Sequence, residues 1–189
     1  MIDGDDLAYK MIFSHADEAI DEYWTKLGGQ PVWLEKPQWP RCWRHERLMG
    51  FIGQFRLPGR QIRMAYLFMD NESEESWSPE GGENALIVQP GRIPPFVQAV
   101  GAATGESLVN ELFVDLEEIE QSTAPRWGSQ MLGTPTWWQD EEYPAGVWTY
   151  FFQLRNSENG MYDTLFAESG AGYGFLSPDE QEGRFLWQC

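Results

Sequence analysis

The sequence predicts an α+β protein: mainly antiparallel β, built as two similar halves about a pseudo-twofold axis, with an N-terminal helix. Three observations predict it. The first is a duplication. Gly29-Gln30-Pro31-Val32-Trp33-Leu34-Glu35, closing on Trp39-Pro40, returns as Gly133-Thr134-Pro135-Thr136-Trp137-Trp138-Gln139, closing on Tyr143-Pro144. Phe51 to Arg56 aligns with Tyr150 to Arg155, Tyr66 to Met69 with Tyr173 to Leu176, and Leu86 to Gln89 with Phe185 to Gln188. The second is a set of short apolar runs bounded by Gly, Pro, Asn and Asp, the pattern of strands joined by turns. The third is a loosely helical apolar pattern near the start.

In chain order, residues 5–25 read as an amphipathic helix. Leu7, Met11, Ala19, Ile20, Tyr23 and Trp24 make its apolar side, and Asp17, Glu18, Asp21 and Glu22 are among its polar positions. Ser14 followed by Asp17 is a start signal within this stretch, so two short helices also fit, and Gly28-Gly29 ends the segment. The first repeat spans about 26–91. Pro31, Pro37 and Pro40 make 30–42 an extended, turn-rich segment anchored by Trp33 and Trp39. Residues 49–57, 62–69 and 85–89 read as strands, with a turn at Leu57-Pro58-Gly59-Arg60 and an acidic loop over 70–84. The linking region, 92–130, is broken by Pro94-Pro95 and Thr104-Gly105. Within 107–121, Leu108, Leu112, Leu116 and Ile119 fit a helix, and Leu112-Phe113-Val114 also fits a strand. The second repeat, about 131–189, has strands at 147–155, 172–176 and 184–188, so the last residues are expected to lie in a sheet. The 189 residues read as a single domain.

The chain has 42% apolar residues, 15% aromatics and 10 Trp, ample for a packed core. No apolar run approaches the length needed to cross a bilayer, and the acidic start lacks the features of a signal peptide. Two cysteines, Cys42 and Cys189, are too few for a disulfide framework or a cysteine-based zinc site. A cytoplasmic protein is expected. The net charge of −17 is uneven: residues 1–63 hold nine acids and nine bases, whereas 64–189 hold 21 acids and four bases. Such a field repels nucleic acid and membrane phosphates and speeds encounter with basic partners.

Candidate chemistry is thin. Only His15 and His45 could act as neutral-pH bases. Cys42 and His45 would need to converge with an orienting group to make a nucleophile; a surface loop with a semi-buried cysteine is the preferred reading. No metal motif, P-loop or dinucleotide fingerprint is present. Gly170-Ala171-Gly172-Tyr173-Gly174 leads into a strand rather than a helix, and so reads as a strand entry or bulge. No cofactor, metal or catalytic residue is expected. The matched glutamines, Gln54/Gln153 and Gln89/Gln188, need hydrogen-bond partners if buried. They read as ties between strands or to the repeated turns, with a polar pocket on the twofold axis as the alternative. Trp33/Trp137 and Trp39/Tyr143 read as anchors of each half; Trp77 and Trp127 fall outside the repeat and are better candidates for exposed contacts.

Leu27-Gly28-Gly29-Gln30-Pro31-Val32-Trp33-Leu34, Trp39-Pro40-Arg41-Cys42, Met49-Gly50-Phe51-Ile52-Gly53-Gln54 and Gly183-Arg184-Phe185-Leu186-Trp187-Gln188-Cys189 together resemble the YwqG-like family, a bacterial domain family of unknown function. The resemblance covers roughly 26–189 and implies an α+β fold with an internal duplication. Members are also found as immunity proteins in bacterial toxin systems, and this sequence looks like an immunity protein paired with a nuclease toxin of a type VI secretion system. Relatives often carry further cysteines after the Trp-Pro segment, at spacings that suggest metal binding. Here Cys42 is followed by Trp43-Arg44-His45-Glu46-Arg47 with no second cysteine.

The resulting expectation is a non-enzymatic inhibitor of a cognate toxin, probing the toxin's basic nuclease surface with acidic loops. Glu72, Glu74 and Glu75 with Trp77, and Asp140, Glu141 and Glu142, are the first candidates for contact. Asp115, Glu117, Glu118 and Glu120 are the second. Asp179, Glu180 and Glu182 form a further acid cluster. Inhibition by covering the toxin's active site and inhibition by holding it misfolded both remain open, as does a small-ligand or carbohydrate-binding domain using exposed Trp.

Overall fold

A computed structural model describes residues 7–120, 128–156 and 165–189. Among these residues there is no helix. The strands are β1 (Leu7–His15), β2 (Lys26–Leu27), β3 (Trp39–Arg41), β4 (Gly50–Arg56), β5 (Met64–Met69), β6 (Asn84–Gln89), β7 (Gln98–Val100), β8 (Leu112–Glu120), β9 (Gln130–Leu132), β10 (Thr149–Arg155), β11 (Ala171–Leu176) and β12 (Gly183–Gln188). Ten of them form one antiparallel sheet in the order β12-β11-β10-β9-β1-β8-β2-β4-β5-β6, while β3 and β7 form a separate pair. The two outermost strands, β6 and β12, lie side by side. A Cβ at Gly183 would come 2.5 Å from the Leu86 carbonyl oxygen, so only glycine allows this approach. The sheet is thus a nearly closed, barrel-like wall, an arrangement that leaves little exposed edge.

The α+β expectation is overturned: the protein is all-β among the described residues, and the N-terminal helix is instead β1 followed by turns. The deciding pattern has period two. Tyr9, Met11 and Phe13 face the main core, and β1 pairs along its whole length with β8, from Leu7 opposite Glu120 to His15 opposite Leu112. Ile20 and Trp24, placed on the helix's apolar side by the sequence, sit in the turns after β1. The ambiguity over 107–121 resolves the same way, with Leu112 and Val114 alternating into the core.

The duplication is real in space. Around the central β1–β8 ribbon, β2-β4-β5-β6 on one side matches β9-β10-β11-β12 on the other. Lys26 opposes Gln54 as Gln130 opposes Gln153. The β4–β5 register shifts between Phe51 and Gly53, and the β10–β11 register between Tyr150 and Phe152, at matching positions. Gly29 and Gly133 open the repeated turn with φ of 67° and 73°, a left-handed conformation that side-chain-bearing residues rarely adopt.

Three cores follow. The inner one draws on both halves; Phe55 and Phe152 stack in it with centroids 3.9 Å apart. Each outer face carries its own core. Tyr66, Phe68 and Ile87 lie under Trp33 and Trp39 in the first half, and Tyr173, Phe175 and Leu186 lie under Trp137 in the second. Trp33 meets Tyr66 at 4.8 Å and Trp137 meets Tyr173 at 4.7 Å, offset contacts worth about 0.5–1.5 kcal/mol beyond burial.

Candidate interaction surface

The matched glutamines are structural ties. Gln54 Oε1 accepts from Val32 N at 2.8 Å and its amide donates to the Glu22 and Trp24 carbonyls. Gln153 Oε1 accepts from Thr136 N at 2.9 Å and its amide donates to Gly128 O. Gln89 accepts from Glu35 N and donates to Lys36 O; Gln188 accepts from Gln139 N and donates to Asp140 O. Both tyrosine hydroxyls join in, Tyr66 bridging Val32 O and Leu34 N, Tyr173 bridging Thr136 O and Trp138 N. The extended Gly-x-Pro-x-Trp segment cannot satisfy its own backbone, so strand side chains do it. Burial raises the pKa of both tyrosines, keeping them neutral donors. These polar groups are engaged in holding the scaffold.

Among the described residues, half one carries a cluster that half two lacks. Cys42, His45 and Asp70 each offer one donor atom, all within 4.8 Å of one another. The sequence placed Cys42 in a surface loop without an orienting group. In the structure Cys42 is fully buried and Asp70, 25 residues beyond His45, supplies that group. The geometry is not that of a nucleophile. His45 Nδ1 lies 2.6 Å from Asp70 Oδ2 and 3.8 Å from Cys42 Sγ, so both partners meet the same ring nitrogen, whereas a relay needs opposite ones. Burial, with Asp70 adding to it, pushes the Cys42 thiol up and keeps it protonated. The three donors could hold a metal only by giving up existing bonds, since Asp70 also accepts from Arg47 and from Glu72 N. Burial alone would raise the Asp70 carboxyl; the hydrogen bonds from Arg47, Cys42 and His45 outweigh it and hold it well below the usual carboxylate range. The cluster pins the 42–47 loop to the end of β5. At the matching place in half two stands Ser177.

The acidic candidates divide by what already binds them. Glu72 pairs with Arg47 and Glu75 with Arg44, and together with Glu74, His45 and Ser73 they line one shallow pocket. Glu74 makes no ion pair among the described residues. Trp77 is 46% exposed, and its carbonyl accepts from Trp187 N across the β6–β12 seam. In the other candidate loop, Glu142 Oε2 accepts from the Gln188 amide, and Asp140 and Glu141 are exposed and make no ion pair among the described residues. Asp179, Glu180 and Glu182 pair with Arg92, Arg63 and Arg184. Asp115, Glu117 and Glu118 lie exposed on β8, and no ion pair reaches them among the described residues; Glu120 ends the same strand. The loops carrying Trp77 and Asp140 both contact the end of β12, and on the ribbon Lys10 lies opposite Glu117 in the ladder without closing an ion pair. Asp17, Glu18, Asp21 and Glu22 are likewise exposed and without ion pairs. Sequence reading missed them as contact candidates because it placed them on the polar side of a helix. Trp127 lies outside the described residues.

Beside the ribbon runs an apolar groove of about 490 Å³, walled by Val114 and Leu116 of β8, Tyr9, Met131, Trp24 and Leu57. Leu116 is 42% and Trp24 49% exposed. Arg56 stands at the groove with no ion pair among the described residues. No helix among the described residues is long and apolar enough to cross a membrane. No known protein-family model and no curated protein matches the chain.

Proposed function

We propose that this chain is a cytoplasmic immunity protein that binds and neutralises a bacterial toxin domain, a nuclease effector of a type VI secretion system. It would act without catalysis, as the resemblance to the YwqG-like family implies. One observation carries the reading beyond that resemblance. Arg44, Arg47, Arg63, Arg92 and Arg184 pair with acids of the loops, whereas the carboxylates of Asp115, Glu117 and Glu118 make no ion pair among the described residues. A DNase must present a basic surface to hold its phosphates. An acidic ribbon beside exposed apolar side chains can steer onto that surface and then anchor there.

The test is a tagged pull-down from the native bacterium, washed at low and then high salt, followed by a DNA-cleavage assay of whatever is retained. A stoichiometric basic partner whose cleavage this protein inhibits is the expected result. Absence of any partner while the toxin locus is expressed would overturn the proposal. With the partner in hand, Asp115→Lys, Glu117→Lys and Glu118→Lys combined should slow association by about 10- to 100-fold at low salt and flatten its salt dependence. Glu72→Lys, Glu74→Lys and Glu75→Lys combined should do less, because Arg47 and Arg44 already offset two of those charges.

The second reading, a ligand- or carbohydrate-binding domain, draws support from Trp24 at the mouth of the groove. Saturable quenching of Trp fluorescence by a glycan, with no protein partner, would favour it.

A further inference from the structure

We infer that β8 recruits its partner by strand addition: an extended basic and apolar segment of the toxin continues β2 along the edge of β8 that no described residue pairs with, and fills the groove beside it. The inference rests on the immunity reading for the partner's identity and on the sheet's geometry for the mode of contact.

The geometry is a strand that stops early. β8 has nine residues and β4 seven, yet β2 between them has only two. β2 pairs with β8 at Phe113 and Leu112 alone. It ends where the Thr25 hydroxyl, rather than a backbone carbonyl, accepts the N–H of Arg56. From Val114 to Ile119, no backbone hydrogen bond from another described residue reaches β8 on its β2 side. On its other side β8 is fully paired with β1, so the strand is held straight and in register. An unpaired edge of this kind is a template for another chain.

The side chains flanking that edge set what it accepts. Successive residues of a strand point to opposite faces. Val114 and Leu116 face the groove, and Asp115 and Glu117 face away from it. A segment laid against β8 would place alternate side chains in the groove, among Tyr9, Trp24, Leu57 and Met131, where apolar groups are buried. Its intervening side chains would stand beside Asp115 and Glu117, where basic groups are favoured. Arg56 disfavours a basic side chain among the apolar groups of the groove, while Glu118, which shares the Val114 and Leu116 face and lies opposite Tyr9, accepts one just beyond Leu116. The partner segment is therefore one that alternates Lys or Arg with Val, Ile or Leu. Main-chain bonds would supply affinity and the groove specificity.

The probe is a capped synthetic peptide of about seven residues alternating Lys and Val, titrated into the full chain and followed by amide hydrogen exchange and chemical shifts. Saturable binding is expected, with protection rising at alternate amides over 114–119. Methylating the peptide's backbone nitrogens on one edge should weaken binding by about tenfold or more, because that edge can no longer donate to the ladder. Replacing Lys by Glu should abolish binding. Leu116→Arg should also abolish it; because Leu116 is 42% exposed, this variant should keep the melting temperature of the parent. Binding indifferent to N-methylation, protection confined to other segments, no binding at about 1 mM, or amides at 114–118 already protected in the free protein would each overturn strand addition. A toxin captured equally well by Leu116→Arg also overturns it, while leaving the immunity reading intact. A peptide that binds this edge when no toxin can be captured upholds the edge as a docking site and removes the immunity reading.

Discussion

Lys26 and Gln130 occupy the same place in the two halves, one residue across the ladder from a tying glutamine, yet they solve different problems. Gln130 donates to the Thr134 carbonyl within its own turn. Lys26, 1% exposed, reaches the Ile20 carbonyl and Glu111, and so links the segment after β1 to the start of β8. Half two closes locally; half one is fastened to the ribbon by a buried charge. The same contrast recurs at Asp70 against Ser177. It recurs again at the turn, where Trp39, which pairs with Val100 in the β3–β7 ladder, is fully buried while its counterpart Tyr143 is 44% exposed. What the halves share holds the sheet. What they do not share gathers in half one and beside the ribbon, where the open edge of β8 lies.

The sharpest way to break this contrast is to unpair Lys26. Glu111→Ala leaves a buried ammonium with one carbonyl partner and should cost about 3–5 kcal/mol in urea unfolding. Lys26→Gln, which copies the other half, should cost only about 1–2 kcal/mol, because the remaining carboxylate of Glu111 reaches solvent. Equal losses from the two would show that the charge pair has no special weight. Next in size, Gln54→Leu and Gln153→Leu should each cost about 2–3 kcal/mol, and by similar amounts, since each strands a backbone N–H and carbonyl in its own turn. A large difference would break the equivalence of the halves.

Asp70→Ser, which again copies half two, should cost about 1–2 kcal/mol at pH 7. The folded carboxyl titrates below its ordinary value of about 3.9, so its contribution is complete above that pH and is lost as pH falls toward the folded value. The gap between variant and parent should therefore close in acid unfolding below about pH 4; a gap that persists there would assign the loss to packing. The ribbon substitutions at Asp115, Glu117 and Glu118 should have the smallest effect on stability, about 1 kcal/mol or less, part of it from Glu117→Lys facing Lys10 across the ladder, while having the largest effect on association.

The duplication was legible because Gly29/Gly133, Pro31/Pro135 and the four glutamines each meet a constraint that few residue types satisfy: a left-handed φ, a fixed turn, an amide with both donor and acceptor. Strands β4, β5, β6, β10, β11 and β12 were legible for the same reason, their edges marked by turn residues. The first strand was misread because Leu7 and Met11 also fit a helical stripe, and the acids after it completed an amphipathic pattern. The competing period of Tyr9, Met11 and Phe13 decides the matter only once β8 is there to pair with it. Contacts far apart in the chain left no mark: Lys26 and Glu111 are 85 residues apart, and Asp70 gives no local sign that it will meet Cys42 and His45. Acid clusters were visible as composition, but which of them are already neutralised depends on arginines brought in from elsewhere, such as Arg63 to Glu180 across 117 residues.

The stacked rings of Phe55 and Phe152 carry a historical consequence. Each belongs to one half, and each is covered chiefly because the other half is present. A solitary ancestral half would have exposed that aromatic face to water and gained by meeting a second molecule of itself. The two halves thus stand to each other as the subunits of a homodimer do, and being one chain leaves them free to differ. Expressed as two separate pieces, the halves should be insoluble alone and recover a common fold when mixed.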